Sequence, residues 1–310
     1  MTADSSVVTA DVDGRAVRLS NLDKVFWPAL ALTKRWLVAY YDAMAEAVLA
    51  HASGHPVTLH RFPDGVDGSH WYQTRAPAHP EWVETATFRP ERTGKVFDVV
   101  VLRDRSSLLW AANSGAIELH PYLGTADALE EPRAVVFDLD PGTPAGMREV
   151  AAVALRLRAA LADAALESFV KTSGNLGLHV YVPLNRPHSY AETKEFARRL
   201  AGILERRMPE LVVTNMARRL RAGKVLVDWS QNDAGKSTVA PYSLRGNPIP
   251  TASIPLAWDE VERVVRRGDT SHLPVTATDA ITRLDELGDL FGPVATLQQT
   301  LPESGATELR

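Results

Sequence analysis

The chain has 310 residues, 45% of them hydrophobic, with a formal net charge of -4 at pH 7 and no cysteine. This length suffices for one large or two modest domains with a buried core, and the slight negative charge gives no global attraction to nucleic acid. Without cysteine the sequence excludes disulfides, zinc–thiolate sites, iron–sulfur clusters and thiol nucleophiles, so any metal must bind oxygen or imidazole.

The first half of the chain alternates strand and helix patterns. The N-terminal segment has neither a basic, apolar leader nor a run that could span a bilayer, which predicts a cytoplasmic protein without a membrane partner. A short strand precedes a helix over residues 34–50, with Thr33 as its N-cap and an apolar stripe of Trp36, Tyr40, Met44 and Val48. Then follow a strand and turn (55–65), a hairpin (81–90 and 95–104, joined by Glu-Arg-Thr-Gly), a short helix (106–115) and a strand (116–124).

The second half of the chain has the clearest secondary-structure patterns. Residues 135–140, VVFDLD, are an apolar run typical of a central buried strand. Helices are predicted over 145–166 and 189–208, the latter with a capping box from Ser189 to Glu192. Between and after them lie strands at 167–174, 177–184 and 223–229, a loop at 238–246, and helices at 258–265 and 278–291. Hairpins combined with two long crossover helices predict an α+β, or mixed α/β, fold.

Two carboxylates end the apolar strand. In an extended chain Asp138 and Asp140 point to the same face, so they repel each other unless a cation lies between them or one pKa rises. Magnesium and manganese prefer such oxygen ligands. A strand-to-turn junction, in which Asp-Pro-Gly stops the strand and the acids face water, explains the segment equally well.

A third carboxylate favours the metal interpretation. Asp228 ends another apolar strand, and three carboxylates on two strand ends can hold two divalent ions about 4 Å apart, the arrangement that serves nucleotidyl transfer. Between these strands lies the glycine-containing turn 171–180, KTSGNLGLHV. Its glycines would let backbone N–H groups approach a triphosphate, with Ser173 and His179 as further donors, although such a turn can also be a simple hairpin.

Four ordered segments carry a family resemblance. DLDPG (138–142), KTSGNLGLHVYVPL (171–184), VDWSQN (227–232) and TVAPYSLRGNPIP (238–250) resemble the polymerase domain of bacterial ligase D, a member of the archaeo-eukaryotic primase superfamily. The resemblance implies a primase-like catalytic core with a β-sheet active site flanked by helices. It covers residues 1–296 as a single domain, with an N-terminal subregion to about 130, a catalytic subregion 131–296, and a polar tail 297–310.

The resemblance also implies roles for individual residues. Asp138, Asp140 and Asp228 become metal ligands for two manganese or magnesium ions. The incoming nucleotide is contacted by Ser173, His179, His120, Arg245, Gln231, Arg221 and Lys236. In the N-terminal part, Asn21, Lys24 and Lys34 resemble a pocket for the 5′-phosphate of gapped DNA, whereas without the family they read as surface residues. Trp71 and Tyr72 match a pair that stacks on template bases, although one of them could instead belong to the core.

The implied function is a primase-polymerase nucleotidyltransferase. It would extend primer 3′-ends on gapped or broken DNA with NTPs or dNTPs, favour ribonucleotides, and serve DNA repair or end joining with Ku and a separate ligase at the nucleoid. Two features depart from the pattern: Leu176 replaces a lysine common in the triphosphate turn, and no ligase or nuclease motifs are present. Together with its start and polar end, this favours a stand-alone paralogue over an excised domain.

Two other functions remain open. A haloacid dehalogenase-type phosphatase also carries a DxD motif after an apolar strand, with the first aspartate as nucleophile, but Pro141 displaces the expected following residues. A catalytically weak module that binds DNA ends would explain Leu176. Separately, the basic stretch of Arg218, Arg219, Arg221 and Lys224 would ordinarily be a solvated surface, but its place next to Asp228 favours a surface that faces phosphates.

Overall fold

The structure is a computed structural model, and it describes residues 7–89, 94–270 and 273–302. The strands, numbered along the chain, are β1 (Val7–Val12), β2 (Arg15–Ser20), β3 (Val25–Trp27), β4 (Leu32–Thr33), β5 (Pro56–Arg61), β6 (Trp71–Gln73), β7 (Glu84–Phe88), β8 (Phe97–Val101), β9 (Ala116–Pro121), β10 (Ala134–Pro141), β11 (Phe169–Thr172), β12 (Leu178–Pro183), β13 (Val212–Val213), β14 (Val225–Asp228), β15 (Leu244–Arg245), β16 (Thr251–Ala252) and β17 (Pro255–Leu256). The helices are α1 (Lys34–Ala43), α2 (Ala45–Ala52), α3 (Arg105–Asn113), α4 (Met147–Asp163), α5 (Tyr190–Arg207), α6 (Trp258–Arg267), α7 (Ala277–Leu287) and α8 (Gly292–Thr296).

The chain forms two compact units that interleave in sequence. Unit 1 contains the residues up to Tyr122 together with Ser237–Ala252 and Thr276–Glu286, and unit 2 contains Leu123–Lys236, Ser253–Val275 and the residues from Leu287 on. The chain passes from unit 1 to unit 2 after Tyr122 and returns to unit 1 at Ser237 and at Thr276. The division into subregions near residue 130 stays a prediction. That the units act as a single catalytic domain stays a prediction. In the described part of the chain, no helix is long and apolar enough to cross a membrane.

Unit 1 is built on a five-stranded antiparallel sheet. Its strands are ordered β6-β5-β8-β7, with β9 paired to β5. The predicted hairpin is β7 and β8, which pair from Glu84 with Val101 to Phe88 with Phe97; residues 90–93 of its turn lie outside the described residues. The predicted helix over 34–50 is divided at Met44 into α1 and α2, and Thr33 is its N-cap by position without a side-chain hydrogen bond.

Unit 2 is built on a six-stranded sheet ordered β13-β14-β10-β12-β11-β17. The prediction that VVFDLD is a central strand is confirmed, because β10 lies between β14 and β12. One face packs on a core that includes Phe137 and Leu139 of β10 and apolar residues of α4, α5 and α6. Helix α5 begins as predicted, since the Ser189 side chain accepts from the Glu192 N–H and the Glu192 carboxylate accepts from the Ser189 N–H. The predicted loop 238–246 contains the short strand β15.

Candidate active site

Three aspartates share one face of the unit 2 sheet. Asp138 and Asp140 are two residues apart on β10 and point the same way, while Phe137 and Leu139 turn into the core on the other face. Asp228 at the end of β14 is the direct cross-strand partner of Asp138, and directly opposed residues place their side chains on the same face. The register therefore brings together the three carboxylates that the sequence singled out.

The row of polar side chains that the aspartates form on this sheet face continues across two further strands. His179 on β12 is the cross-strand partner of Asp138, and its Nε2 lies 3.2 Å from Asp138 Oδ1. Lys171 on β11 is in turn the partner of His179. Lys171 is fully buried, and its ammonium group donates to the Ser253 hydroxyl at 2.5 Å. Lys171 is not among the site residues predicted from the sequence, although its position opposite His179 follows from pairing the two predicted strands.

The turn from Ser173 to Gly177 is closed by its own hydrogen bonds. The Ser173 hydroxyl accepts from the backbone N–H groups of Asn175 at 3.2 Å and Gly177 at 3.1 Å, and the Ser173 N–H donates to the Gly177 carbonyl at 2.9 Å. The expectation that both glycines open the backbone to an anion is therefore incomplete, because the Gly177 N–H points at Ser173. Gly177 is needed for close approach: a Cβ there would lie 2.5 Å from the Leu139 carbonyl and 3.1 Å from Asp140 Oδ1.

Gly142, at the end of the DLDPG segment, also does more than stop the strand. A Cβ on Gly142 would lie 2.0 Å from the backbone carbonyl oxygen of Arg221. Its N–H donates to the Lys224 carbonyl at 2.8 Å, and its carbonyl accepts from the Gly223 N–H at 2.9 Å. The Pro-Gly ending thus fastens the basic segment 218–224 to the strand that carries Asp138 and Asp140.

The other polar and basic residues that the sequence singled out in unit 2 differ in how their side chains are held. Gln231 donates to Asp228 Oδ2 at 3.3 Å, which holds it beside the aspartates. Arg221 donates from Nη2 to the Met216 carbonyl at 2.5 Å, and Lys224 donates to the Pro209 carbonyl at 2.5 Å, so both cationic groups are held by backbone oxygens. Lys236 is exposed after β14.

His120 and Arg245 meet in unit 1 around a residue that sequence analysis did not single out. Glu118 Oε2 lies 2.8 Å from His120 Nε2 and 3.2 Å from an Arg245 guanidinium nitrogen. Glu118 is two residues before His120 on β9, so the period of the predicted strand already placed both side chains on one face. The sequence contained no sign that Arg245, more than 120 residues away, would join them.

Three side chains of unit 1, two of them just described, are also potential metal ligands. His60, Glu118 and His120 each place one ligand atom within 4.8 Å of the other two. The Arg245 guanidinium already compensates the single carboxylate, and a divalent cation would have to bind next to that positive charge. This donor set therefore fits a metal ion less well than the three aspartates do.

The predicted 5′-phosphate residues converge at the start of unit 1. The Lys24 N–H donates to the Asn21 carbonyl at 3.1 Å, and the Lys34 N–H donates to the Lys24 carbonyl at 2.9 Å. The Lys24 ammonium pairs with Asp64, and the Lys34 ammonium donates to the Asn113 carbonyl at 2.7 Å. Each ammonium carries three donors, so these contacts leave both lysines with capacity for a further acceptor.

Trp71 and Tyr72 are both exposed, 42% and 57% respectively, so neither is a core aromatic. As neighbours on β6 they point to opposite sides. Tyr72 stacks on His60 with ring centroids 4.0 Å apart and an interplanar angle of 14°, whereas the Arg61 guanidinium lies over Trp71 at 5.6 Å. Each ring therefore contacts a neighbouring side chain and remains partly exposed.

Comparison with protein families and sequences gives a consistent result. Residues 33–291 match the family model described as LigD, primase-polymerase domain. The chain is 39% identical over 281 residues to the multifunctional non-homologous end joining protein LigD of Mycolicibacterium smegmatis, covering 90% of this chain and 36% of that protein. It is 33% identical to the corresponding protein of Pseudomonas aeruginosa, covering 79% of this chain and 29% of that protein. The chain thus spans about a third of the length of these relatives.

A solved structure supports the same conclusion. The polymerase domain from Mycobacterium tuberculosis Ligase D, in complex with DNA, matches with a TM-score of 0.83 and 36% sequence identity, covering 91% of this chain and 98% of that one. The predicted α+β fold with a primase-polymerase core is confirmed by this match.

Proposed function

The chain belongs to the LigD primase-polymerase family, a family of DNA nucleotidyltransferases that use divalent metal, and from that premise we propose that it extends primer 3′-ends on gapped or broken DNA. The observation that carries the proposal is the register of β10 and β14, which sets Asp138 opposite Asp228 with Asp140 on the same face. This family membership sets aside the haloacid dehalogenase-type phosphatase.

Asp138, Asp140 and Asp228 are the residues that would hold two manganese or magnesium ions. Their donor set fits hard divalent cations, because it consists of carboxylate oxygens on one sheet face, with Asp138 and Asp228 on directly opposed positions. Metal bound there lowers the pKa of a primer 3′-hydroxyl and stabilises charge on the reacting phosphate. No side chain is then required as a general base.

The side chains around the aspartates would bind and orient the nucleotide. His179 lies beside Asp138 on the same sheet, and Ser173 lies in the turn after β11. Gln231 donates to Asp228, and Arg221 and Lys236 add positive charge on either side of Asp228 in the sequence. His120 and Arg245 are proposed, by the family resemblance, to contact the sugar and the triphosphate. Arginine suits this role because its planar fork donates two parallel hydrogen bonds to phosphate oxygens.

The direct test is primer extension on a gapped duplex with a 5′-phosphate, using NTPs and dNTPs in magnesium and in manganese. We expect template-directed addition that requires divalent metal and is faster with NTPs. Binding of the duplex without extension under every condition would instead support the catalytically weak DNA-end-binding module. Preference for blunt or gapped ends, and stimulation by Ku or a separate ligase, would identify the repair setting that the names of the relatives indicate.

Leu176 offers a gain-of-function prediction. It is 68% exposed in the turn between β11 and β12. A leucine side chain has neither a charge nor a hydrogen-bond donor for a triphosphate. We expect Leu176→Lys to lower the KM for NTP about threefold to tenfold, because an ammonium group near a triphosphate adds a charge-assisted hydrogen bond. Leu287→Lys adds the same charge at another exposed leucine and should leave KM unchanged. An unchanged KM in Leu176→Lys would separate this turn from the triphosphate.

The 5′-phosphate pocket of Asn21, Lys24 and Lys34 predicts a pH dependence. Burial, with the positive charges of Lys24 and Arg61, lowers the pKa of Lys34 to about 8. Lys34 is charged below that pH and neutral above it, so we expect the preference for 5′-phosphorylated over unphosphorylated gaps to fall about five- to tenfold between pH 7 and pH 9. The measurement is the ratio of the two dissociation constants across this range.

Lys34→Arg is the matched variant, because arginine stays charged at pH 9 and should remove the pH dependence. The same fall with pH in Lys34→Arg would assign the effect to another group. Lys24→Ala should weaken binding of phosphorylated gaps more than of unphosphorylated ones, and an equal loss on both would assign Lys24 to general backbone contacts.

Tyr72 and Trp71 would stack on template bases. Base–aromatic stacking does not depend on sequence, since every base has a π-face. The stacking of Tyr72 on His60 holds the tyrosine ring in place, and the residue stays 57% exposed.

A further inference from the structure

The carboxylate of Glu118 is surrounded by four nitrogen atoms in unit 1. Glu118 is 4% exposed. Its Oε2 lies 2.8 Å from His120 Nε2, 3.2 Å from His60 Nδ1 and 3.2 Å from an Arg245 guanidinium nitrogen. Its Oε1 accepts from the backbone N–H of Gly246 at 3.0 Å. The carboxylate therefore joins residues from three strands, β5, β9 and β15.

The sheet register fixes this arrangement. Glu118 and His120 share a face of β9 because they are two residues apart, and His60 on β5 is the direct cross-strand partner of Glu118. His60 is itself held on its other sides, since it stacks on Tyr72 and its Nε2 lies 2.9 Å from His70 Nδ1. The position of the Glu118 carboxylate is thus set by its contacts with the His60 ring and with the Gly246 backbone N–H.

The protonation states follow from the contacts. Burial alone would raise the pKa of Glu118, but hydrogen bonds from His120 and His60 and the charge of Arg245 hold it well below its ordinary value. Burial lowers the pKa of His120 despite the opposing effect of Glu118, so the imidazole is neutral at pH 7. An ionised carboxylate can only accept, so His120 donates from Nε2 and presents Nδ1 as an acceptor, which suits a hydroxyl group.

The charge of Glu118 works against the binding of a triphosphate. A carboxylate 3.2 Å from Arg245 reduces the attraction of that guanidinium for a polyanion. If attraction were all that mattered, a neutral side chain at this position would serve nucleotide binding better. The contribution of Glu118 must then come from fixing the orientation of the groups that bind.

We infer that Glu118 is a positioning residue that fixes the tautomer and orientation of His120 and the direction of the Arg245 guanidinium, so that both meet the incoming nucleotide. The inference rests on the proposed function, because it takes His120 and Arg245 as nucleotide contacts. It adds a residue that touches neither the nucleotide nor metal but determines how two others do.

The test is Glu118→Gln, which keeps the size of the side chain and one acceptor oxygen but removes the charge. The amide can donate to His120 and reverse the polarity of that hydrogen bond. We expect the KM for NTP to rise about tenfold, the rate at saturating NTP to change less than about threefold, and the dissociation constant for the gapped duplex to stay the same. An unchanged or lowered KM would overturn the inference, because it would mean that Glu118 acts through charge alone or not at all.

Two further variants separate positioning from folding. Glu84→Gln breaks the exposed ion pair of Glu84 with Arg103 in the same unit, and its KM should equal that of the unmodified protein. Glu118→Asp keeps the charge but retracts the carboxylate by one methylene group, so it should also raise KM; it decides the question if Glu118→Gln does not fold. Thermal unfolding of each variant shows whether a KM change accompanies a loss of stability.

The same assay distinguishes failure of the inference from failure of the proposed function. If the unmodified protein extends primers and both Glu118 variants keep its KM, the inference alone fails. If the unmodified protein extends no primer with any nucleotide or metal, the proposed function fails and the inference fails with it.

Discussion

The double substitution Asp138→Asn and Asp140→Asn is expected to abolish primer extension while leaving the fold and DNA binding intact. These residues contribute two of the three carboxylates that share one face of the unit 2 sheet. Removing the charges that would hold divalent metal costs several kcal/mol of transition-state stabilisation, and about 4 kcal/mol corresponds to a rate lower by about three orders of magnitude. The measurement is single-turnover extension of a gapped duplex at saturating manganese.

The same substitution should not destabilise the metal-free protein. Asp138, Asp140 and Asp228 repel each other, so replacing two of them removes an unfavourable interaction. We expect the unfolding midpoint to stay constant or rise, and binding of DNA, itself an anion, to stay constant or strengthen. Asp163→Asn, at the exposed end of α4, changes the charge of the same unit away from the site and should extend primers normally.

A double variant that extends primers at the normal rate would exclude Asp138 and Asp140 from the chemistry, whatever the family. A variant that loses both extension and its cooperative unfolding transition would point to a structural role. The expected combination, lost extension with retained fold and DNA binding, would place the two carboxylates in the reaction rather than in the folding of the sheet.

Gly177→Ala is expected to lower extension about 100-fold although no charged or catalytic group is changed. The added Cβ would lie 2.5 Å from the Leu139 carbonyl, closer than unbonded atoms approach, and 3.1 Å from Asp140 Oδ1, which is a tight contact. Either the turn or β10 must move, and a displacement of about 1 Å near the reacting groups costs about 100-fold in rate. Overpacking of this kind also costs about 1–3 kcal/mol of stability.

Gly202→Ala is the matched control, because Gly202 lies within α5 and its added Cβ would come no closer than 3.5 Å to the Arg206 side chain. That variant should extend primers normally and gain up to about 1 kcal/mol of stability from the higher helix propensity of alanine. Normal extension by Gly177→Ala would show that the turn can withdraw from β10 without disturbing Asp140, and that the close contact is not needed for activity.

Leu176 and Gly177 are neighbours in one turn but have different surroundings. Leu176 is exposed and could be exchanged for a charged residue without steric cost, whereas Gly177 is packed against the strand that carries the aspartates. The sequence presented both as parts of one glycine-containing turn. The difference between them arises from which side of the turn faces β10.

Much of the fold follows from short-range patterns. The capping box of Ser189 and Glu192, the apolar run of β10, and the same-face placement of Asp138 and Asp140 depend on residues within a few positions of one another. Such features are decided by local backbone geometry and by the periods of helix and strand. They were therefore predictable from the sequence without any knowledge of tertiary contacts.

The amino-acid sequence by itself determined the family motifs, the main helices and strands, and the three carboxylates at strand ends. The tertiary structure alone decided which distant residues meet: Asp228 opposite Asp138, Lys171 in the same row, and Glu118 bound to Arg245. These contacts join residues far apart in the chain, and they depend on strand order and register, which are set by long-range packing of the whole sheet. Local periodicity places a side chain on a face, but only the assembled sheet gives that face its neighbours.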